Sequence, residues 1–239
     1  MRNLLIGAAL IVALAAAAGA EAQTPPGRLT ARPGSGGGNC AAGVSTLKLG
    51  GGRTALLRVT PGRAGSRRAL LLALHGAGGS SEAGLWAFRE GFRERGLVLV
   101  APASESRTWN PFYGSDLDSM NRALKQAFAR CRVDPKRVAV GGFSDGATTA
   151  LTVGLLNGDL FRAVMALSPG GVQAAQPVGK PRVFIAHGTR DTVLPIRISD
   201  AVVRQLRSFG YAVTYRKFAG GHEVPTAISR AAVRWYLHG

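Results

Sequence analysis

At 239 residues, 46% of them hydrophobic and 18% charged, with 12 Pro, 33 Gly and 2 Cys, the chain is no disordered polymer, collagen-like repeat or disulfide-rich miniprotein. Its length suits one large α/β domain or two small ones, and either buries a full core. Thirty Lys and Arg against 13 Asp and Glu give a net charge of +17, and all but five of the positive side chains are Arg. That excess has two readings: codon usage that favours Arg, Ala and Gly together, or a field that attracts nucleic acid, anionic lipid or an acidic polymer.

In chain order, Arg2 precedes an apolar run from Leu4 to Ala18, followed by the small-residue steps Ala18-Gly19-Ala20 and Ala20-Glu21-Ala22. A basic start, a short apolar stretch and small residues before a cleavage point are the parts of a secretory signal peptide, so residues 1–22 are set apart from the fold. The run is too short and too Ala-rich for a comfortable membrane span. The expected location is therefore outside the cytoplasm, in the periplasm or beyond, without stable membrane insertion. Residues 23–46 are rich in Pro, Gly, Ser and Thr and read as a leader, with the folded domain over 47–239.

Within that domain, apolar runs of strand length alternate with stretches of helical period. The expected strands are Ala69–Leu74, Leu97–Val100, Val138–Val140, Ala163–Leu167, Val183–Ala186 and Ala212–Tyr215, with Ala55–Val59 as an earlier antiparallel edge strand. Several are apolar on consecutive residues, as expected when helices cover both faces of a parallel sheet. The expected helices are Ser81–Arg95, with Leu85, Trp86, Phe88 and Phe92 as its core face, then Leu117–Arg130, Asp145–Leu156, Ile198–Phe209 and Pro225–Leu237. The alternation predicts one doubly wound α/β domain, with its chemistry in loops at the carboxyl ends of the strands. Cys40 and Cys131 form an isolated pair; export favours a bridge between them, the alternative being two separate thiols.

The reactive residue types fall at those strand ends. Gly142-Phe143-Ser144-Asp145-Gly146 is a G-x-S-x-G pattern between a strand and a helix, the context in which its serine is a nucleophile. Of four histidines, His222 lies in a Gly-flanked loop between the last strand and the last helix and is the expected general base. His75 and His187 each end a strand before a glycine and are read as structural; His238 is read as solvated. Asp191 follows the Val183–Ala186 strand and is the expected orienting carboxylate, with Asp200 a rival at helical spacing and Glu223 too near His222 to reach its far nitrogen. The loop His75-Gly76-Ala77-Gly78-Gly79 leaves backbone N–H groups unhindered, so Ala77 and Asp145 N–H are the expected oxyanion donors.

These residues resemble the α/β-hydrolase superfamily. The match rests on His75–Ser80, Gly142–Gly146, His187–Pro195 and Gly221–Pro225, and runs from about residue 45 to the end. The order Ser144, Asp191, His222 is that of the α/β-hydrolase triad. Within the superfamily the chain is similar to the phospholipase/carboxylesterase group that includes acyl-protein thioesterases, and to secreted polyhydroxybutyrate depolymerase and feruloyl esterase relatives. The resemblance implies a mostly parallel sheet with helices on both faces and a metal-independent, cofactor-free serine esterase. It also implies that Trp109 walls the acyl pocket, the alternative being a packing tryptophan. Two departures stand out. Asp145 occupies the place where the thioesterases carry Gln, so their substrate class does not transfer. The short connection from Leu167 to Pro181 has no room for a helical lid, which implies an open cleft for short-chain esters or a polymer strand.

The expected partner is therefore a small-molecule or polymeric ester. A rival within the same chemistry is hydrolysis of a polyanionic polymer steered by the Arg surface. A rival of another class is a non-catalytic binding protein for an anionic surface, against which the complete Ser-Asp-His set argues. Nucleic-acid binding has no support beyond charge.

Overall fold

The computed structural model describes residues 25–239, so the proposed signal peptide lies outside the described residues. Among the described residues, eight strands form one sheet: β1 Gly43–Gly50, β2 Arg53–Val59, β3 Arg68–Leu74, β4 Leu97–Pro102, β5 Val133–Phe143, β6 Ala163–Leu167, β7 Arg182–Gly188 and β8 Val213–Phe218. Five helices connect or flank them: α1 Ser81–Ala87, α2 Ser115–Arg130, α3 Asp145–Leu156, α4 Arg197–Ser208 and α5 Thr226–His238. The strand order is β1-β2-β4-β3-β5-β6-β7-β8. The β1–β2 and β2–β4 pairs are antiparallel, and every pair from β4 through β3 to β8 is parallel.

The strand side chains divide by the two-residue period into two cores. Leu70, Leu72 and Leu74 of β3 pack with Met120 and Leu124 of α2, Leu151 of α3 and Val202 and Leu206 of α4. Ala69, Leu71 and Ala73 of the same strand face the other way, towards Leu85 of α1, Phe88, and Ile228 and Val233 of α5. Every residue of β3 is buried. A run of seven apolar or buried positions in one short strand is the signature of a sheet covered on both faces, and it explains why this strand carries no alternation.

Three expectations are corrected. Ala55–Val59 lies in β2, which is not the edge: β1 outflanks it, beginning at Gly43 inside the stretch read as leader. Only Leu47 and Leu49 of β1 are buried, so its sequence gives little alternation to read. The helix expected over Ser81–Arg95 ends at Ala87 and gives way to a 3-10 turn over Arg89–Arg93. Its Trp86 is 63% exposed rather than in the core, while Leu85 and Phe88 are buried as expected. Finally, β5 starts at Val133 and runs through Asp134-Pro135, five residues before the expected start at Val138.

The Gly- and Pro-rich stretch before β1 packs on the body. Leu29 and Ala31 are buried. Leu29 N–H donates to the side chain of Asn157 at 2.8 Å, and Ala31 N–H to that of Asn121 at 2.8 Å. Arg28 and Arg32 both hydrogen-bond Asp159, and chiefly the Arg28 bond holds that carboxyl down at about 2. A depressed folded-state value means that this contribution is present above the ordinary value of 3.8 and is lost as pH falls through about 2. A disulfide joins Cys40 to Cys131 at the end of α2, with Cα atoms 4.9 Å apart and a sequence separation of 91. In the loop-entropy model, closing so long a loop removes about 4–5 kcal/mol from the unfolded state.

Candidate active site

The parallel register brings the carboxyl ends of three neighbouring strands together. Leu74 pairs with Gly142 and Leu167 with Phe143, so the loops after β3, β5 and β6 open at one level. Ser144 sits between β5 and α3 with φ 57° and ψ −120°. Among the described residues it is one of two non-glycine residues with positive φ, the other being Ser168 after β6. Such a conformation costs on the order of 1–3 kcal/mol and persists only where the surroundings fix it. They do so here: Ser144 N–H donates to Leu167 O at 2.9 Å, and Ser144 O accepts from Ala147 N–H at 3.0 Å. The two pattern glycines are required by close approach. A Cβ on Gly142 would lie 2.2 Å from Gly146 O, and one on Gly146 would lie 2.4 Å from both Leu74 O and His75 O.

His222, in the loop between β8 and α5, places Nε2 2.9 Å from Ser144 Oγ and Nδ1 2.6 Å from Asp191 Oδ2. An ionised carboxylate only accepts, so Nδ1 carries the proton and neutral Nε2 is left to accept from the serine hydroxyl. Phe143 flanks the imidazole, with ring centroids 4.8 Å apart. Asp191, buried, spends its other oxygen on the N–H groups of Val193 at 2.9 Å and Leu194 at 2.8 Å. Burial pushes its carboxyl up, but the bond from His222 and these two N–H groups outweigh that and hold it below its ordinary value.

His187, read from the sequence as structural, is buried and lies beside this carboxylate, with Nε2 3.2 Å from Asp191 Oδ2. The same Nε2 is 2.8 Å from Leu194 O, and Nδ1 is 2.6 Å from Ser199 Oγ. A carbonyl can only accept, so Nε2–H donates to it and Nδ1 accepts from the serine hydroxyl. His187 thereby fixes the turn that carries Asp191. Its position four residues before Asp191 was the available signal. The rivals lie elsewhere: Asp200 bonds Lys217 and Tyr215, and Glu223 accepts from Gly221 N–H.

The loop after β3 passes against the nucleophile, with the position of a Cβ on Gly76 only 3.3 Å from Ser144 Cβ. Gly78 N–H is spent on Arg107 O and Gly79 N–H on Gly76 O, whereas Ala77 N–H has no backbone acceptor among the loop bonds of the described residues. Asp145 N–H opens α3 and has no intrahelical partner, as for any first residue of a helix. His75 Nε2 accepts from Ser104 N–H at 3.0 Å, so Nδ1 carries the proton and donates to Gly76 O at 2.7 Å. Trp109 is 6% exposed; its ring lies 4.6 Å from that of His75, and its Nε1–H donates to His75 O at 2.9 Å.

Residues 168–181 contain no helix, so no helical lid is inserted between β6 and β7. Among the described residues, no group of three or more His, Cys, Asp or Glu side chains is arranged to hold a metal ion, and no helix is long and apolar enough to cross a membrane.

This sheet order, with a strained serine at its central strand end, defines the chain as an α/β-hydrolase by fold. Residues 115–232 match the Phospholipase/Carboxylesterase family. A protein named probable feruloyl esterase C, from Aspergillus terreus, is 28% identical over 112 residues, which are 46% of this chain and 42% of that protein. The chain thus spans less than half the length of the curated relatives it matches. Two solved structures share the fold. The CE1 ferulic acid esterase AmCE1/Fae1A from Anaeromyces mucronatus is 16% identical with a TM-score of 0.61, covering 85% of this chain and 92% of that one. The S-formylglutathione hydrolase FrmB from Staphylococcus aureus is 12% identical with a TM-score of 0.66, covering 81% of this chain and 98% of that one.

Proposed function

We propose that the chain is an exported serine hydrolase that cleaves carboxylic esters through an acyl-enzyme on Ser144. His222 Nε2 takes the hydroxyl proton as Ser144 Oγ attacks the ester carbonyl. The N–H groups of Ala77 and Asp145 hold the oxygen that gains charge, and Asp191 steadies the imidazolium. His222 then gives its proton to the leaving alcohol, the ester C–O bond breaks, and the acyl group remains on Ser144. Water, deprotonated by the same imidazole, releases the acid and restores the hydroxyl. The observation that carries this reading is the unbroken Ser144–His222–Asp191 hydrogen-bonded chain, with bonds of 2.9 and 2.6 Å, at the mouth of a strained turn.

In this reading Trp109, 6% exposed in the core beside the loop after β3, backs the acyl pocket from within, and the absence of a helix over 168–181 leaves the cleft uncovered. A p-nitrophenyl ester series from acetate to palmitate tests this. The expected result is turnover of the short chains with kcat/KM falling towards palmitate; a rate that rises with chain length contradicts an open, short pocket. Methyl ferulate belongs in the panel because the similar proteins are named for feruloyl esters. The net charge of +17 favours a second reading, an anionic polymer as substrate. In that case salt suppresses hydrolysis of the anionic substrate and spares the neutral esters.

A further inference from the structure

Asp145 has a side chain that the reaction above does not use. Its Oδ2 accepts the N–H of Trp109 at 2.9 Å. The Trp109 indole N–H in turn holds His75 O, the carbonyl that leads into Gly76 and Ala77. Two more bonds tie the same segment to the loop after β3: Ser104 N–H to His75 Nε2 at 3.0 Å, and Gly78 N–H to Arg107 O at 2.6 Å. The segment is anchored from its other side by Asp116 of α2, which is 3% exposed. Asp116 accepts from Glu105 N–H at 2.7 Å, Asn110 N–H at 2.9 Å and Arg53 Nη2 at 2.9 Å. Residues 104–110 therefore form a brace. It touches the loop that carries one oxyanion donor, Ala77, and the side chain of the residue that carries the other, Asp145.

We infer that the Asp145 carboxylate is a positioning residue: it couples the two oxyanion donors by clamping the backbone of Trp109, and so fixes their separation. The inference rests on the esterase reading above. A carboxylate is otherwise ill-suited to this place, since its negative charge lies close to where the oxyanion forms. Its position in the first turn of α3 offsets part of that charge. What it supplies is an acceptor for the backbone N–H of Trp109, next to the indole N–H that holds His75 O. The role belongs to the acceptor oxygen, not to the charge, so the neutral isostere retains it.

The test is the kinetics of Asp145→Ala and Asp145→Asn on p-nitrophenyl acetate, normalised to folded protein by thermal unfolding. Asp145→Ala is expected to lose about 10²-fold in kcat with KM little changed, as for a catalytic group displaced by about 1 Å. Asp145→Asn is expected to recover to within about tenfold of wild type, or to exceed it, because its carbonyl still accepts the Trp109 N–H. Trp109→Phe, which removes the indole N–H and keeps a ring, is expected to lower kcat in the same manner. Its effect combined with Asp145→Ala should be less than multiplicative. An Asp145→Ala enzyme with wild-type kcat, or an Asp145→Asn enzyme as impaired as Asp145→Ala, overturns the inference. If Asp145→Ala does not fold, the asparagine variant and Trp109→Phe decide it alone. Ser144→Ala measured beside them separates the two levels. An inert Ser144→Ala with an unimpaired Asp145→Ala removes the brace alone; an active Ser144→Ala removes the Ser144 acyl-enzyme reading and the brace with it.

Discussion

Ser144→Ala is expected to lower kcat on short-chain esters by about 10⁴–10⁶-fold while leaving the fold unchanged, and His222→Ala to do nearly the same. The two act as one unit. Without the hydroxyl, the imidazole has no proton to take. Without the imidazole, the hydroxyl remains protonated and is a poor nucleophile. The double variant is therefore expected to be no worse than either single one. Stability should not fall in Ser144→Ala, because the strain at φ 57° belongs to the backbone and is held by Leu167 O and by the start of α3. Steady-state kinetics with thermal unfolding as a control checks both points. A single variant that keeps a tenth of the wild-type rate, or effects that multiply, would contradict a shared step.

Asp191→Asn is expected to cost about 10⁴-fold in kcat. An amide offers His222 either a carbonyl or an NH₂. The two N–H groups of Val193 and Leu194 already claim the oxygen that Oδ1 supplies, which turns the amide nitrogen towards Nδ1. Nδ1 must then accept, the ring proton moves to Nε2, and Nε2 no longer accepts from Ser144. The sign of the pH effect follows from the lowered carboxyl of Asp191. Its stabilising contribution is present above the ordinary value of 3.8 and is lost only as pH falls through the depressed folded value. Near neutral pH the wild-type group is fully ionised, and the substitution removes a whole charge. A loss in Asp191→Asn below tenfold at neutral pH contradicts this assignment.

What could be read from the sequence was what is local and residue-specific. The central strands announce themselves as apolar runs because each is buried on both faces, as β3 is at all seven positions. Ser144 is legible because one turn needs glycine at two fixed offsets, and those offsets are where a Cβ would strike Gly146 O and Leu74 O. The start of β5 was missed because Asp134-Pro135 has turn chemistry, although Pro is admissible where a strand begins. β1 was missed because two buried leucines in eight residues make too weak a pattern. Trp86 was misassigned because it adjoins Leu85 in sequence, while α1 buries Ser81, Gly84, Leu85 and Ala87 and turns Trp86 outward. The brace had no signature at all. It joins Arg53, residues 104–110, Asp116 and Asp145 mostly through backbone N–H groups, which every residue type except proline carries.

The most direct measurement is mass spectrometry of enzyme quenched with acid during turnover of p-nitrophenyl acetate, followed by peptide mapping. One acetyl group per chain on the peptide that holds Ser144, absent from Ser144→Ala, is the predicted result. Turnover with no covalent adduct, or with the acetyl group on another residue, contradicts nucleophilic catalysis by Ser144.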